Sequence, residues 1–359
     1  MNGFSLRMKV WVFVGFFIAC IIPGNGMHYI AKDKNRGENN MKLVGVNQND
    51  LKEKYSCSVT DGVFLPVEWA RGGHAGGIID GHIIVAGGTN WSKDKATKYW
   101  LKNTVLYKDG QWMEGPGLPK PLAYSAFGCN DTGLYLAGGT GDGEIGSKEV
   151  YWLNALNKES KWKSLPDLPE AVIFGAGAIL NNTFYVTCGS VKDQSINSMW
   201  CLDLNYIEKG WKECKAVPGA GRVLSALVAC GEYLYLIGGL KGFSPLEPLN
   251  DLYRYTPEKD EWKQLTDLPL KGYAWVAQPV NEKHLLVTGR ADGMVHDGIW
   301  IIDPDNSSMT EVGHLIIPSA TAPLIKVNEN HYWLVGGEPD SNKNRTEKVS
   351  VIEIKSLTK

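Results

Sequence analysis

The chain has 359 residues and a formal net charge of −2, from 37 Lys and Arg against 39 Asp and Glu. A charge this close to neutral gives no reason to expect a nucleic acid or an anionic membrane as a partner. The 13 tryptophans and 41 glycines occur in a sequence with no long helical pattern, and short strands punctuated by Gly, Pro and Asp are typical of an all-β protein.

The N-terminal residues have the pattern of an export signal. Arg7 and Lys9 precede an apolar run over residues 10–22, and small residues then follow at the spacing that cleavage after Gly26 requires. The run is too short to span a membrane as a helix. We therefore predict that residues 1–26 are a signal peptide and that the mature chain is exported to the periplasm, with no membrane-spanning segment.

The rest of the chain divides into a lead-in, residues 27–54, and a folded region, residues 55–359. The lead-in is rich in Lys, Asn and Asp and is predicted to be flexible. The run from Val63 to Pro66 stands before the first repeat much as Leu118-Pro119 stands before the second. Because the last repeat ends after its third strand, we predict that residues 55–66 supply the outer strand of the last blade and leave no edge open.

One sequence pattern recurs six times in the folded region: a β-branched or aromatic run that ends in a glycine pair or a single glycine. The second positions of these pairs are residues 88, 139, 189, 239, 290 and 337, so the successive steps are 51, 50, 50, 51 and 47 residues. A period of about 50 residues is typical of a kelch propeller. We predict an all-β, six-bladed kelch β-propeller with a core that contains the recurring tryptophans. These are Trp112, Trp162, Trp211 and Trp262.

The cysteines show no zinc spacing. Cys20 lies inside the apolar run of the leader, where apolar residues continue beyond it, and this favours cleavage after Gly26 over a lipid anchor at Cys20. Six cysteines remain after cleavage, and free buried thiols are the simplest interpretation. Cys201 and Cys214 could instead lie on adjacent strands and form a disulfide.

Strand alternation predicts where a binding site lies. The loop after the second strand of each blade and the loop before its first strand open on one face, around the axis. Basic side chains converge on this rim with few carboxylates, which suits a small anionic ligand such as an acidic sugar. Its residues are Asn90, Trp91, Thr140, Asp142, Ser190, Lys241, Arg290, Asp292 and Glu338 after the second strands, and Arg71, His74, Tyr124, Phe174, Arg222, Tyr273 and Ser319 before the first.

Four residues of this face are candidates for the site. Glu338 directly follows Gly336-Gly337 at the central mouth, where a carboxylate could act as general base or acid, or could only pair with Arg345 or cap loop amides. Arg345, Arg222 and Arg71 are candidates for binding a sugar carboxylate. For Arg71 and Arg222 the alternative is bridging between blades to backbone carbonyls or Asp. The histidines are scattered without ligand spacing, so we predict no metal.

With Gly-Gly-Glu338, a short polar loop and then Arg345-Thr346, this six-repeat chain resembles the N-acetylneuraminate epimerase family, the sialic acid mutarotases, and in particular its circularly permuted branch. The likeness covers nearly the whole chain after residue 60. It implies that Glu338 matches the catalytic glutamate and Arg345 the substrate-binding arginine, although the loop between them is one residue longer here. Arg222 matches an arginine before an innermost strand.

The resemblance also implies a reaction. The α and β anomers of N-acetylneuraminate would interconvert through an open-chain keto form, with Glu338 taking the proton of the anomeric hydroxyl. Arg345, with Arg222 or Arg71, would hold the sugar carboxylate. No cofactor is needed.

Two other functions stay open at this point. A non-catalytic kelch propeller that binds a glycan or a protein would have the same repeats, since a fold does not fix a function. A copper radical oxidase of the galactose oxidase type would need a Tyr–Cys crosslink with Tyr and His ligands, and the sequence shows no matching set. The sequence leaves both a monomer and a homodimer open.

Overall fold

The computed structural model describes residues 50–157 and 159–357. These residues form strands and loops, together with a short helix α1 (Asp50–Lys54) and three 3-10 turns (Val67–Trp69, Ile207–Lys209 and Pro257–Lys259). None of the helices in this part of the chain is long and apolar enough to cross a membrane. The signal peptide predicted over residues 1–26 lies outside the described residues.

The strands alternate with short turns along the whole described chain. In order they are β1 (Tyr55–Asp61), β2 (Ala75–Ile79), β3 (His82–Ala86), β4 (Thr89–Trp91), β5 (Lys98–Trp100), β6 (Thr104–Lys108), β7 (Gln111–Glu114), β8 (Ala126–Asn130), β9 (Gly133–Ala137), β10 (Val150–Leu153), β11 (Lys163–Leu165), β12 (Ala176–Leu180), β13 (Thr183–Thr187), β14 (Ser190–Val191), β15 (Gln194–Ser195), β16 (Met199–Asp203), β17 (Lys212–Cys214), β18 (Ala226–Cys230), β19 (Tyr233–Phe243), β20 (Leu246–Thr256), β21 (Glu261–Gln264), β22 (Gly272–Pro279), β23 (Leu285–Ala291), β24 (Met294–Val295), β25 (Gly298–Asp303), β26 (Ser308–His314), β27 (Leu324–Lys326), β28 (His331–Val335) and β29 (Val349–Ser356).

These strands form an all-β, propeller-like arrangement, as predicted. Four sheets are separate and have four antiparallel strands each: β2-β3-β6-β7, β8-β9-β10-β11, β12-β13-β16-β17 and β27-β28-β29-β1. The fifth sheet has nine strands, β18 to β26, in which β18–β21 and β22–β26 are joined by the single pair Leu249 and Gly272. Two further sheets, β4-β5 and β14-β15, have two strands each. The separate blades are therefore four rather than the predicted six, because the pairing of Leu249 with Gly272 joins a unit of four strands to a unit of five.

The predicted runs lie on the second and third strands of each unit. Those that end in glycine are β3, β9, β13, β19, β23 and β28, and the apolar runs that follow are β6, β10, β16, β20, β25 and β29. Apolar side chains of neighbouring sheets pack together, as Ile84 of β3 does in one buried cluster with Leu136 of β9. The period of the sequence thus corresponds to one structural unit per repeat.

The recurring tryptophans connect neighbouring units as well as filling the core. Each indole Nε1 donates a hydrogen bond to a backbone carbonyl that lies 45 to 49 residues earlier in the chain, at 2.7 to 2.8 Å. A buried indole N–H requires such an acceptor. The four pairs are Trp112 with Val63, Trp162 with Pro116, Trp211 with Pro166 and Trp262 with Lys215.

The N-terminal strand lies where the sequence predicts it. β1 pairs antiparallel with β29 over its whole length, from Tyr55 opposite Ser356 to Asp61 opposite Ser350, and so forms the outer strand of the sheet that carries β28. The predicted flexible lead-in is wrong for its last residues, because Asp50–Lys54 is helical. The reason is Leu51, which is buried in an apolar cluster with Tyr55 and residues of β25 and β29.

One part of the predicted repeat is shifted by a residue. In the fifth repeat the second glycine position belongs to Gly289, not to Arg290, since Arg290 pairs with Tyr273 in the way that Glu338 pairs with Ala320. The successive steps are then 50 and 48 residues instead of 51 and 47. Thr288 stands where most repeats carry the first glycine, which explains why the sequence pattern misplaced the pair.

A ring of backbone hydrogen bonds surrounds the axis, formed by one residue at or near the start of each innermost strand. All six residues of this axial ring have left-handed backbone angles, with φ between 49° and 68°. Five of them donate their N–H to the carbonyl of the preceding member at 2.7 to 3.0 Å, and the bond from Gly73 to Thr321 joins the first repeat to the last. The members are Gly73, Tyr124, Phe174, Leu224, Ala274 and Thr321.

The cysteines of the described residues, Cys57, Cys129, Cys188, Cys201, Cys214 and Cys230, are free thiols. Cys201 and Cys214, considered above as a disulfide, lie on the paired strands β16 and β17. They are not opposite each other, because Cys201 stands across from Lys212 and Cys214 from Met199.

Candidate functional site

Glu338 lies at the inner end of the sheet β27-β28-β29-β1, directly after β28. Its N–H donates to the carbonyl of Ala320 at 2.8 Å, and its own carbonyl accepts from the Ala320 N–H at 3.0 Å. The preceding Gly337 has φ of 105°, and a Cβ there would lie 2.1 Å from the Ser319 hydroxyl oxygen, so only glycine fits. The backbone therefore holds the glutamate rigidly, with its residue only 4% exposed.

Two arginines flank the Glu338 carboxylate on different oxygens. Arg345 Nη2 lies 3.0 Å from Oε1, and Arg290 Nη2 lies 3.5 Å from Oε2. All three side chains are at most 5% exposed, so the charges are largely removed from water. A buried carboxylate needs a compensating charge, and here two guanidiniums lie beside the Glu338 carboxylate.

Arg345 also reaches the first repeat, across the junction between the two ends of the propeller. Its Nε and Nη2 lie 3.4 Å and 3.3 Å from Thr89 Oγ1, and its Nη1 donates to the Asn344 carbonyl at 2.9 Å. Thr89, Arg290 and Glu338 are the residues that follow the glycine position in three successive repeats. The fold therefore brings equivalent positions of neighbouring units together at one place.

Lysines and aromatic rings extend this positive surface along the rim. Lys98 Nζ lies 4.4 Å from the centre of the Trp100 ring and 5.7 Å from that of Trp91, and Lys343 Nζ lies 4.4 Å from the Trp91 ring. A cation over an indole face is attracted by the ring quadrupole. These lysines add positive charge beside Arg345.

An apolar wall stands next to these charges. The rings of Tyr124 and Phe174 have centres 4.8 Å apart, and the ring of Phe243 packs edge-on against Phe174 with centres 5.5 Å apart. Aromatic faces of this kind suit the apolar face of a pyranose. The arrangement combines what an acidic sugar needs: cations for its carboxylate and rings for its C–H surface.

Arg71 and Arg222 lie close to this face, but their guanidiniums make contacts within the structure. Arg71 donates to the carbonyls of Trp69, Gly87 and Asn103 at 2.9, 3.1 and 3.2 Å. Burial lowers the pKa of its guanidinium to about 10, so it is still charged at neutral pH.

Arg222 repeats the pattern in the fourth repeat. Its Nη1 donates to the Gly238 carbonyl at 3.3 Å and pairs with the Asp251 carboxylate at 2.5 Å. For both arginines the geometry favours bridging of strands, the alternative considered above, over contact with a ligand. The structure thus brings Glu338 and Arg345 together, and it directs the side chains of Arg71 and Arg222 elsewhere.

His74 follows Gly73 of the axial ring and is buried. Its Nε2 donates a hydrogen bond to the carbonyl of Val335 at 2.9 Å, so Nε2 carries the proton. Burial, together with the charge of Arg71, holds the pKa of His74 well below its usual value of 6.5. The imidazole is therefore neutral at physiological pH. Among the described residues there is no group of three or more His, Cys, Asp or Glu side chains that could hold a metal ion.

Two cavities lie on the axis. The larger has a volume of about 650 Å³ and is walled by the innermost strands, which places it at the level of those strands and not at the Glu338 rim. The smaller, of about 90 Å³, lies at the axial ring and is lined by Tyr124, His74 and Phe174 among others. The charged groups that could do chemistry are those of the rim, so we assign the candidate site there.

Comparison with known proteins finds matches in the family that the sequence resembles. The family model described as N-acetylneuraminate epimerase matches residues 165–301. The resemblance predicted from the sequence is confirmed. The matched residues include Arg222 and Arg290 and end before Glu338 and Arg345.

Curated N-acetylneuraminate epimerases match parts of the chain. The protein of Salmonella enteritidis PT4 is 33% identical over 145 residues, which are 38% of this chain and 36% of that protein. The protein of Haemophilus influenzae (strain PittEE) is 28% identical over 190 residues, 52% of this chain and 49% of that protein. The chain thus spans about a third to a half of the length of the N-acetylneuraminate epimerases it matches.

A solved structure shares the fold. The structure of YjhT superposes with a TM-score of 0.65 over 83% of this chain and 99% of that one, at 15% sequence identity. The likeness at this identity concerns the architecture alone. It extends over much more of the chain than the sequence matches to the N-acetylneuraminate epimerases do.

The sequence pattern placed Arg290 on the rim without giving it a role. The sequence pattern aligned Arg290 with Gly337, one residue away from Glu338. Aligning Gly289 with Gly337 instead puts Arg290 and Glu338 at the same position of consecutive units. That alignment is the signal that would have identified the contact.

Proposed function

We propose that this protein is a sialic acid mutarotase, an isomerase that interconverts the α and β anomers of N-acetylneuraminate by acid–base opening and closure of the ring. The observation that carries the proposal is the buried Glu338 carboxylate between Arg290 and Arg345. The substrate is inferred from the resemblance of the chain to N-acetylneuraminate epimerases. The six left-handed residues of the axial ring support counting the nine-stranded sheet as two blades, and hence a six-bladed propeller.

The charge arrangement suits the proposed substrate. N-acetylneuraminate carries a carboxylate on its anomeric carbon, so the group that binds this carboxylate must lie beside the group that moves the anomeric proton. Of the five N–H donors of Arg345, those on Nε and Nη2 face Thr89 and Glu338, and one on Nη1 binds the Asn344 carbonyl. The second Nη1 hydrogen can take the sugar carboxylate while Glu338 stays in place.

The reaction requires from the protein mainly proton donors and acceptors at the right positions. Glu338 takes the proton of the anomeric hydroxyl as the bond from the anomeric carbon to the ring oxygen breaks, while an acid or a water protonates the ring oxygen. Closure of the ring on the other face reverses both proton transfers. Uncatalysed mutarotation is itself fairly quick, so a modest lowering of the barrier suffices. The proposed reaction uses no cofactor.

Proton NMR of freshly released α-N-acetylneuraminate tests the proposal. The wild-type protein is expected to accelerate the approach to the α/β equilibrium, and Glu338→Gln is expected to lose about 100-fold or more of that acceleration, as for removal of a general acid–base group. Glu347→Gln, a carboxylate of the same segment that is partly exposed, serves as the matched control and should keep the wild-type rate. A folded wild-type protein without acceleration would overturn the mutarotase and leave a propeller that binds a glycan or protein.

We also propose export to the periplasm, which rests on the sequence of residues 1–26 alone. Fractionation of cells that express the full chain tests it. The expected result is a periplasmic protein that begins after Gly26, and a product that retains residues 1–26 in the cytoplasm would contradict it. Circular permutation relative to other N-acetylneuraminate epimerases stays a prediction from the order of the blades.

A further inference from the structure

Opening a sugar ring by the proposed route involves two proton transfers at neighbouring atoms. One removes the proton of the anomeric hydroxyl, and the other delivers a proton to the ring oxygen; both oxygens are bonded to the same carbon. Glu338 accounts for the first transfer. A side chain that handles the second proton has to lie within the width of one sugar ring from Glu338.

The dipeptide Gly72-Gly73 shows which side chain lies there. A Cβ on Gly72 would be 2.8 Å from Arg345 Nε and 3.1 Å from Glu338 Cγ. A Cβ on Gly73 would be 2.4 Å from Cε1 and 2.8 Å from Cζ of Tyr124. Adjacent Cα atoms are about 3.8 Å apart, so the Glu338 side chain and the phenol ring each contact one residue of the same glycine pair.

A chain of polar contacts joins the phenol to the charged group. Thr89 Oγ1 lies 3.3 Å from Arg345 Nη2 and 3.5 Å from the hydroxyl of Tyr124. On its other side, the Tyr124 hydroxyl accepts a hydrogen bond from Lys98 Nζ at 3.4 Å. Lys98 thereby places a positive charge beside the phenol oxygen.

The backbone holds Tyr124 in this place. Tyr124 belongs to the axial ring, where its φ is 57° and its N–H donates to the Gly73 carbonyl at 2.7 Å. The left-handed backbone is shared by all six members of the axial ring, so it belongs to the fold and fixes the position of this residue. Of the six ring positions, this one alone carries a titratable side chain; the others are Gly, Phe, Leu, Ala and Thr.

We propose that Tyr124 is the second acid–base residue of the site, and this inference rests on the proposed mutarotase function. During opening, the bond between the anomeric carbon and the ring oxygen breaks, the ring oxygen takes the phenol proton, and Glu338 takes the hydroxyl proton to leave a ketone. The carbon skeleton then rotates and presents its other face. During closure the phenolate takes the proton back from the attacking hydroxyl, and Glu338 returns its proton to the ketone oxygen, so both residues regain their starting states.

Tyr124→Phe removes the hydroxyl and keeps the ring, which makes it the decisive variant. We expect kcat for mutarotation to fall about 100-fold, with KM changed by less than about threefold, because only a group used in the reaction itself is lost. Tyr99→Phe is the matched control, since Tyr99 lies beside Lys98 on β5 but is 49% exposed, and it should keep the wild-type kcat.

Lys98→Met provides a second measurement that does not alter the tyrosine. It should lower kcat about tenfold, because the charge beside the phenol oxygen is lost, while the Tyr124→Phe background should abolish this effect. If wild type is active, Glu338→Gln is inactive and Tyr124→Phe keeps a kcat within about threefold of wild type, the role of Tyr124 is overturned and the mutarotase stands. An inactive wild type would overturn both.

Discussion

Arg290 and Glu338 occupy the same position in two consecutive repeats, and their side chains meet, with Arg290 Nη2 3.5 Å from Glu338 Oε2. Each follows the glycine that ends the second strand of its unit. Rotation about the axis carries one position onto the next, so residues here converge on a shared centre. Different residue types at one equivalent position of neighbouring repeats can thus form an ion pair.

Arg345→Lys tests whether the planar guanidinium is needed. Lysine keeps the charge but loses the paired donors, so we expect KM for N-acetylneuraminate to rise about tenfold or more while the fold is retained. Mutarotation kinetics at several sugar concentrations would measure this. Lys241→Arg is the control, because Lys241 is an exposed rim residue that pairs with Glu247, and an equal rise of KM in that variant would contradict a specific role for Arg345.

Gly72→Ala is predicted to disturb the site without a change in any charged residue. Its methyl group would lie 2.8 Å from Cδ and Nε of Arg345, so the arginine has to move away from Glu338. We expect at least a tenfold loss of kcat/KM, since small displacements of positioned groups are costly. Gly242→Ala, where the added carbon meets nothing within 4 Å, should be fully active. Equal activity of the two variants would show that Arg345 tolerates the shift.

Much of this arrangement could be predicted from the sequence, because it depends on local residue types at a fixed period. The period of about 50 residues located the strands, and a carboxylate after Gly336-Gly337 located Glu338. The direction of a long side chain is decided by packing instead. The sequence positions of Arg71 and Arg222 place both residues near the rim, but each guanidinium donates to backbone carbonyl oxygens. Their spacing in the sequence does not distinguish such an arginine from one whose guanidinium is exposed on the rim.

Arg222→Met should destabilise the fold and leave substrate affinity nearly unchanged. The substitution leaves the Asp251 carboxylate without its partner, and we expect the free energy of unfolding to fall by about 3 kcal/mol, the lower end of the range for breaking a buried ion pair, because Asp251 keeps some contact with water. Urea denaturation would measure it. Adding Asp251→Leu should recover part of the loss. A large rise of KM in a stable Arg222→Met protein would instead support a role in binding.

Acid should destabilise the protein through His74. Because burial lowers the pKa of His74 in the folded state below 6.5, the unfolded state binds a proton first, and stability falls as the pH drops through 6.5. The slope from this residue is roughly 1.4 kcal/mol per pH unit. Urea denaturation between pH 7.5 and 5.5 should show a weaker pH dependence for His74→Gln than for wild type. His82→Gln, at a partly exposed position, should keep the wild-type slope.

The pairing of β1 with β29 has a consequence for the order of events during synthesis. Glu338 and Arg345 belong to the one sheet whose strands come from both ends of the described chain, so this sheet is complete only when residues 55–61 meet residues 349–356. Contacts of such sequence separation form late in folding. A nascent chain can assemble most of the other sheets while the ribosome is still adding residues, but the sheet that bears the Glu338 carboxylate must wait for β29.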